Sequence, residues 1–208
     1  MKTIFIESKF KGSYKIPEMA LPKRVGLVST VQFEHLLEKV KEKLIKERKV
    51  LIAGLILGCN VDNAISIKDK VDAFLYIGTG KFHPLEVLEK TKKDVFILDP
   101  VNNTFSKLDK EELTKIEKLK RGKISKFLSS NKIGIIVSTK PGQFSLENAL
   151  KLKKILKKEA YIFITNEVRQ ERLEDFSDIQ FWVNTACSRI EEKNIINLED
   201  LTPILKKI

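Results

Sequence analysis

Four short loops in the sequence combine glycine with residue types that bind metals or anions. Each loop directly follows an apolar run that reads as a β-strand. Two of them carry the only cysteines of the chain. A cysteine thiolate is a nucleophile and a metal ligand, and a glycine turn exposes backbone N–H groups to anions. The four loops are Leu57–Asn60, Tyr76–Pro84, Ser138–Gln143 and Asn184–Arg189.

Each of these features also has an ordinary structural interpretation. A free cysteine is most often a small buried apolar residue, and the two cysteines show no CxxC zinc spacing. Gly78 and Gly80 are compatible with a plain tight turn, because the third glycine of a dinucleotide fingerprint is missing. Lys140 is not part of a P-loop. His83 has no second ligand at metal spacing and is compatible with a helix cap or a core position, with contact to a substrate as the alternative.

The elements that position these loops alternate between short apolar runs and amphipathic helical patterns. This order predicts an α/β fold with two small doubly wound domains, each a mostly parallel sheet with flanking helices. Ligands bind such sheets outside the carboxyl ends of the strands, where both cysteines fall. The predicted strands cover residues 25–28, 50–57, 71–77, 95–98, 133–137, 161–165 and 179–184, and the predicted helices residues 33–49, 85–92, 109–129, 146–158 and 170–176.

Two elements carry more specific expectations. The unbroken apolar run at residues 50–57 is typical of a strand that is buried on both faces. The long charged helix at residues 109–129 has an apolar side that we expect to be buried. Its members are Leu113, Ile116, Leu119, Ile124 and Leu128.

The domain boundaries follow from the same pattern. We predict α/β units over residues 13–120 and 121–208. Residues 1–12 form neither, because the lone strand Thr3–Glu7 cannot build a sheet by itself. We expect this orphan strand either to join the edge of the first unit or to complete the sheet of another polypeptide.

Composition limits the function further. The chain has 208 residues, of which 42% are hydrophobic, and 39 Lys+Arg against 28 Asp+Glu give a net charge of +11. Recurring apolar runs exclude general disorder, and none approaches the ~18 residues of a membrane helix. The amino terminus lacks a signal-peptide core, and two cysteines make no disulfide framework, so we expect a protein of the reducing cytoplasm without a membrane partner.

The basic excess leaves three interpretations open. A solvated Lys/Glu surface is the simplest one. Nucleic-acid binding is disfavoured, because that function gathers Arg and aromatic residues on one face, whereas here the charge is spread over the helices. The third interpretation is an acidic protein partner.

In their order, the four loops and their flanking strands resemble the diphthamide synthase family, the archaeal-type 2-(3-amino-3-carboxypropyl)histidine synthases. Each motif alone is weak, but the ordered set is specific and extends over about residues 3–205. The stretches that carry the resemblance are Val25–Gln32, Leu57–Asn60, Ala73–Pro84, Val137–Gln143 and Trp182–Arg189.

The resemblance implies a radical transferase. Members have three similar α/β domains, and each domain gives one cysteine to a 4Fe-4S cluster. Cys59 matches the cysteine of the second domain and Cys187 that of the third. The remaining iron would bind the amino and carboxylate groups of S-adenosylmethionine. Reductive cleavage then yields a 3-amino-3-carboxypropyl radical, which adds to the imidazole of a histidine in the translocation elongation factor.

The resemblance also suggests which residues lie near the cosubstrate. A glycine turn and a lysine can bind its carboxylate, and an amide side chain can add hydrogen bonds. The residues that we expect at the cosubstrate are Ser138, Thr139, Lys140, Gly142, Gln143, Gly78 and Gly80.

One departure from the family pattern concerns the first domain and its cysteine, which this sequence does not contain. Thr3–Glu7 looks like the last strand of that domain. We therefore expect a split protein, in which an amino-terminal partner chain supplies the third cysteine within a homo- or hetero-oligomer. Two thiolates hold a cluster poorly, so the isolated chain should have little activity. A non-catalytic supporting subunit, or an unrelated RNA- or protein-binding module, are the alternatives.

Overall fold

The computed structural model describes residues 8–58, 60–190 and 192–205. Cys59 and the strand expected at Thr3–Glu7 lie outside these residues. The chain divides into two compact units, an amino-terminal unit that ends at Thr114 and a carboxyl-terminal unit that begins at Lys115. In the described part, no helix is both long enough and apolar enough to cross a membrane.

The amino-terminal unit is built on a five-stranded sheet in the order β2-β1-β3-β4-β5. Strands β1 to β4 run parallel to their neighbours, and β5 is antiparallel to β4. The strands are β1 (Arg24–Ser29), β2 (Lys49–Leu55), β3 (Ala73–Ile77), β4 (Asp94–Asp99) and β5 (Thr104–Lys107).

Helices cover both faces of this sheet. A 3-10 helix at Val31–Leu36 continues directly into α1 (Leu37–Leu44). The next helices are α2 (Asp62–Ile67), followed by a 3-10 turn at Lys68–Lys70, and α3 (Phe82–Thr91). The apolar side chains of α1 share one core with alternate residues of the strands, and those of α2 and α3 share a second core with the remaining ones.

The carboxyl-terminal unit has a four-stranded, fully parallel sheet in the order β7-β6-β8-β9. Its main core contains Phe127, Leu152 and Leu201 from three helices, and Trp182 lies in a smaller core. The elements are α4 (Lys110–Ser129), which crosses the boundary between the units, β6 (Lys132–Ser138), α5 (Leu146–Ile155), β7 (Glu159–Thr165), α6 (Gln170–Glu174), β8 (Phe181–Asn184), β9 (Ile195–Asn197) and α7 (Leu198–Leu205).

Both sheets place a glycine beside a large aromatic residue on the neighbouring strand. Gly26 of β1 pairs with Phe74 of β3, and Gly134 of β6 pairs with Trp182 of β8. A Cβ on Gly26 would lie 2.8 Å from Phe74 Cδ1, and one on Gly134 would overlap the indole of Trp182. Each glycine therefore makes room for the aromatic ring beside it, and this fit favours the observed register of the strands that lead to the site.

The structure confirms the α/β class with mostly parallel sheets and flanking helices, and it corrects several details. Among the described strands, β2 within residues 50–57 lies at the edge of its sheet, and most of its side chains are only half-buried. The helix predicted over residues 33–49 starts in 3-10 geometry and ends at Leu44. Leu119 and Leu128 are 67% and 47% exposed, because α4 turns Phe127 into the core instead. The short elements β5, β9 and α7 had no clear sequence signal.

Candidate functional site

In the amino-terminal unit, the loop that follows β3 is built around Tyr76. This tyrosine is buried, and its hydroxyl lies 3.5 Å from the carbonyl oxygen of Thr79 and 3.5 Å from His83 Nδ1. The rings of Tyr76 and His83 stack with centroids 5.9 Å apart. A Cβ on Gly78 would collide with the hydroxyl of Tyr76 and lie 2.6 Å from its Cζ. Gly78 therefore lets the backbone of the loop approach the ring of Tyr76 closely.

Burial also changes the acidity of this tyrosine. The loss of hydration raises the pKa of Tyr76 to about 12. A hydrogen bond with Thr30 acts in the opposite direction, and the charge of Asp99 adds to the increase. Tyr76 is therefore a neutral hydroxyl at physiological pH and holds the loop through hydrogen bonding and packing.

The loop before Cys59 packs against the start of α3. Leu57 and Asn60 form an antiparallel bridge, with Leu57 N–H donating to Asn60 O at 3.0 Å. A Cβ on Gly58 would lie 2.6 Å from Phe82 Cε1, so the glycine lets the ring approach the backbone. Phe82 in turn meets His83 edge to face, with centroids 5.2 Å apart. The loops after β2 and β3 are thus in contact, while the role expected for Cys59 stays a prediction.

In the carboxyl-terminal unit, the loop after β6 is a tight turn. Gln143 N–H donates to Lys140 O at 3.0 Å, and Gly142 has φ +78°. With Pro141 before the glycine, these features match a type II turn. A Cβ on Gly142 would meet nothing within 4 Å, so backbone conformation and not space favours glycine here.

Most backbone donors of this turn are already used internally. Thr139 N–H donates to Thr165 O at 2.9 Å, and Lys140 N–H to the hydroxyl of Ser138 at 3.1 Å. Ser138 itself is buried, whereas the side chains of Thr139 and Lys140 are exposed. An anion at this loop would therefore meet mainly side chains and the N–H of Gly142.

Cationic side chains gather near this turn. Arg169, in the loop that follows β7, forms an ion pair with Glu167 at 2.9 Å. The hydrogen bond from Arg169 lowers the pKa of Glu167, and the charges of Lys140 and Arg172 add to this effect. Arg169, Lys140 and Arg172 thus all act on Glu167 at the end of β7, and Glu171 is a second carboxylate near Arg169. The local charge is mixed, with a small positive excess that favours an anionic ligand.

The Cys187 loop follows β8, the neighbour of β6 in the sheet, so it lies at the same edge as the Ser138–Gln143 turn. Cys187 is a half-buried free thiol. Thr185 anchors the loop to β6 through its N–H and its hydroxyl, which donate to Ile136 O at 3.1 and 2.8 Å. The side-chain amides of Asn184 and Asn197 donate to the carbonyl oxygens of Cys187 and Ser188, and Asn184 Oδ1 accepts from Ala186 N–H before the cysteine.

The structure therefore groups the predicted residues by unit. Ser138 to Gln143 and Cys187 share the carboxyl edge of one sheet, and Gly78 and Gly80 follow β3 at the carboxyl edge of the other. Tyr76, Arg169, Asn184 and Asn197 were not predicted as site residues. Among the described residues, no group of three or more His, Cys, Asp or Glu side chains is arranged to hold a metal.

Comparison with known proteins gives a consistent family match. Residues 6–199 match the family model described as "Putative diphthamide synthesis protein". The chain is 34% identical over 184 residues to the 2-(3-amino-3-carboxypropyl)histidine synthase of Pyrococcus horikoshii, and 30% identical over 173 residues to that of Methanocaldococcus jannaschii. It is 29% identical over 205 residues to subunit 1 of the Nematostella vectensis synthase.

Solved structures agree with this match. The crystal structure of Dph2 from Pyrococcus horikoshii with a 4Fe-4S cluster superposes with a TM-score of 0.76 and 29% sequence identity, covering 90% of this chain and 58% of that one. The two archaeal matches cover 82% and 81% of this chain but only 52% and 46% of the relatives. The chain thus spans about half the length of the curated relatives that it matches.

Proposed function

Because the chain belongs to the diphthamide synthesis protein family, we propose that it supplies the second and third domains of a 2-(3-amino-3-carboxypropyl)histidine synthase. Residues 13–120 and 121–208 would be these domains. The complete enzyme would transfer the 3-amino-3-carboxypropyl group of S-adenosylmethionine to a histidine of the translocation elongation factor in the cytoplasm. This reaction is the first step of diphthamide biosynthesis.

The observation that carries the proposal is the placement of Cys187. Its loop and the Ser138–Gln143 turn leave two neighbouring parallel strands at the edge where α/β sheets bind ligands. The thiol is half-buried and free. A thiol that could bind a metal and a glycine turn that could bind an anion therefore share one sheet edge, which is what we would expect for a metal-held amino acid.

The thiols of this chain could supply two of the three protein ligands that such a 4Fe-4S cluster would need. Thiolates are its ordinary ligands, and Cys187 would supply one of them. Cys59 is the second candidate by its place in the sequence. When bound, such a cluster would supply an electron and an open iron position for the amino and carboxylate groups of S-adenosylmethionine.

The chain's own residues would bind and orient the cosubstrate. Lys140 and Arg169 would attract its carboxylate, since both belong to the cationic group at the end of β6 and β7. Gly142 would offer its N–H, and Gln143 an amide side chain. In the amino-terminal unit, Gly78 and Gly80 would lie near the cosubstrate. A Cβ on Gly80 would point into open space that a ligand could use, whereas Gly78 would act by letting the loop pack on Tyr76.

The number of cysteines in this sequence supports the proposal that a third thiolate comes from elsewhere. The chain spans about half of its curated relatives, and its sequence has only two cysteines. We propose that an amino-terminal partner chain supplies the third cysteine, and that the two chains form an oligomer that docks the elongation factor. The surplus of basic residues would favour an acidic surface on that substrate.

The test is anaerobic co-expression with a chain that carries the missing domain. The complex should contain iron and sulfide, cleave S-adenosylmethionine to methylthioadenosine and modify the elongation factor, as mass spectrometry of the factor would show. The isolated chain should do little of this. A complex with full iron content that neither cleaves the cosubstrate nor modifies the factor would overturn the proposal.

A second candidate is a supporting subunit, since relatives such as that of Nematostella vectensis are named subunit 1 of the synthase. This role would leave turnover unchanged when Cys59 and Cys187 are replaced by Ala in the complex. The catalytic role predicts that both replacements abolish cleavage of S-adenosylmethionine.

A further inference from the structure

We propose that Asn184 and Asn197 are positioning residues that hold the Cys187 loop in its metal-binding conformation. This inference rests on the proposed function, because it assumes that Cys187 is a metal ligand. It assigns a role to two side-chain amides, which together bind the N–H of Ala186 and the carbonyl oxygens of Cys187 and Ser188.

The two asparagines form one connected network. They face each other across the register of β8 and β9, and Asn184 Nδ2 donates to Asn197 Oδ1 at 2.7 Å. Asn184 Nδ2 also donates to the carbonyl oxygen of Cys187 at 2.7 Å, and Asn184 Oδ1 accepts from Ala186 N–H at 2.9 Å. Asn197 Nδ2 donates to the carbonyl oxygen of Ser188 at 2.6 Å.

Asn184 has no unused donor in this network. Its amide group has two N–H donors, and both are engaged, while its oxygen accepts one bond. Its side chain is only 2% exposed, so water cannot replace a lost partner cheaply. The arrangement therefore draws the carbonyl groups of Cys187 and Ser188 toward the end of the sheet.

This geometry fixes the loop by bonds to its backbone. Ile190 N–H adds a further bond to Cys187 O at 3.1 Å, and Thr185 ties the start of the loop to β6. The conformation of the cysteine backbone is thus set by protein contacts alone. A metal then binds a preorganised ligand, which reduces the entropy lost on binding, as partners behind a ligand do in metal sites.

The discriminating variants are Asn184→Asp and Asn197→Asp, which keep the size of the side chain. Asn184→Asp places a carboxylate against two oxygen acceptors. Asn197→Asp removes only the donor to Ser188 O and keeps the acceptor for Asn184. Asn148→Asp is the matched control, because its exposed amide donates to Ser145 Oγ at the start of α5. Ile133→Val in β6 is the control for a general loss of core packing.

The first measurement uses the isolated chain without metal. Hydrogen exchange should become roughly tenfold faster at Ile190 in Asn184→Asp, and less so in Asn197→Asp, because each variant loses a donor that holds a carbonyl of the loop. Ala186 is not a readout in Asn184→Asp, since the carboxylate still accepts its N–H. Asn148→Asp should leave Ile190 unchanged. Unchanged exchange in Asn184→Asp would overturn the inference.

The second measurement uses the reconstituted complex. Both variants should lower iron retention under a chelator and shift the electron paramagnetic resonance signal, whereas Ile133→Val at similar stability should change neither. Equal effects in Ile133→Val would show a purely structural role and overturn the positioning claim. Full retention in Cys187→Ala would instead overturn the proposed function, whatever the exchange measurements show.

Discussion

Replacing Gly78 by Ala tests the packing of the loop that follows β3. A Cβ at this position would collide with the hydroxyl of Tyr76 and lie 2.6 Å from its Cζ and 3.1 Å from its Cε1. Ordinary carbon contacts are about 3.5–4.0 Å. Tyr76 is fully buried and cannot swing into solvent, so either the ring or the loop has to shift.

The expected cost follows from overpacking, which typically destabilises by about 1–3 kcal/mol. We expect Gly78→Ala to lie in the upper half of this range, at about 2–3 kcal/mol. Gly80→Ala is the matched control, because a Cβ there meets nothing within 4 Å and only the φ of +71° is unfavourable. That conformation costs an L-residue about 1–2 kcal/mol.

A double-mutant cycle separates the two causes. Tyr76→Phe removes the atom nearest to the new Cβ, so it should recover part of the loss in Gly78→Ala and none in Gly80→Ala. Unfolding in urea, followed by far-ultraviolet circular dichroism, gives the free energies, and hydrogen exchange of β3 locates the change. The reasoning fails if Tyr76→Phe and Gly78→Ala are additive within about 0.5 kcal/mol.

Three further predictions concern other parts of the structure. Phenolate absorbance should show one tyrosine titrating near the value of about 12 given for Tyr76, and Tyr76→Phe should remove it. Because the folded pKa is raised, up to about 2.7 kcal/mol of stability from this group is lost as the pH rises from 10 to 12. Gly134→Ala should lower the free energy of unfolding by about 3 kcal/mol and alter the fluorescence of Trp182, the only tryptophan. Gly122→Ala is the control and should do neither, because a Cβ on Gly122 would meet nothing within 4 Å. Lys140→Met should raise the KM for S-adenosylmethionine in the complex, with unaltered unfolding.

The alternation of apolar runs and helical patterns was enough to predict the fold class, because strands in parallel sheets are almost entirely apolar. It failed where tertiary position decides burial. The run at residues 50–57 looks like a central strand, but β2 lies at the edge of the described sheet. The apolar pattern of a single run does not reveal the order of the strands in the sheet. Leu119 and Leu128 have helical spacing, yet the rotation of α4 turns Phe127 inward instead.

The candidate site shows a similar division. The glycine and cysteine loops could be located from sequence, because parallel strands place such loops at one edge. The contacts that shape them could not, since those of Tyr76 depend on how the loop folds back on its ring, and those of Asn197 depend on strand pairing. Asn197 acts on Ser188 only because β9 pairs with β8 in one register. The residues next to Asn197 in the sequence give no sign that it binds Ser188.

The central claim is that thiolates of this chain hold iron and sulfide together with a partner. The most direct measurement is iron and sulfide analysis of the anaerobically purified complex, compared with Cys59→Ala and Cys187→Ala complexes of the same composition. We predict a full cluster in the parent complex and a large loss of iron and of its reduced paramagnetic signal in each variant. Undiminished iron in either variant would contradict the account.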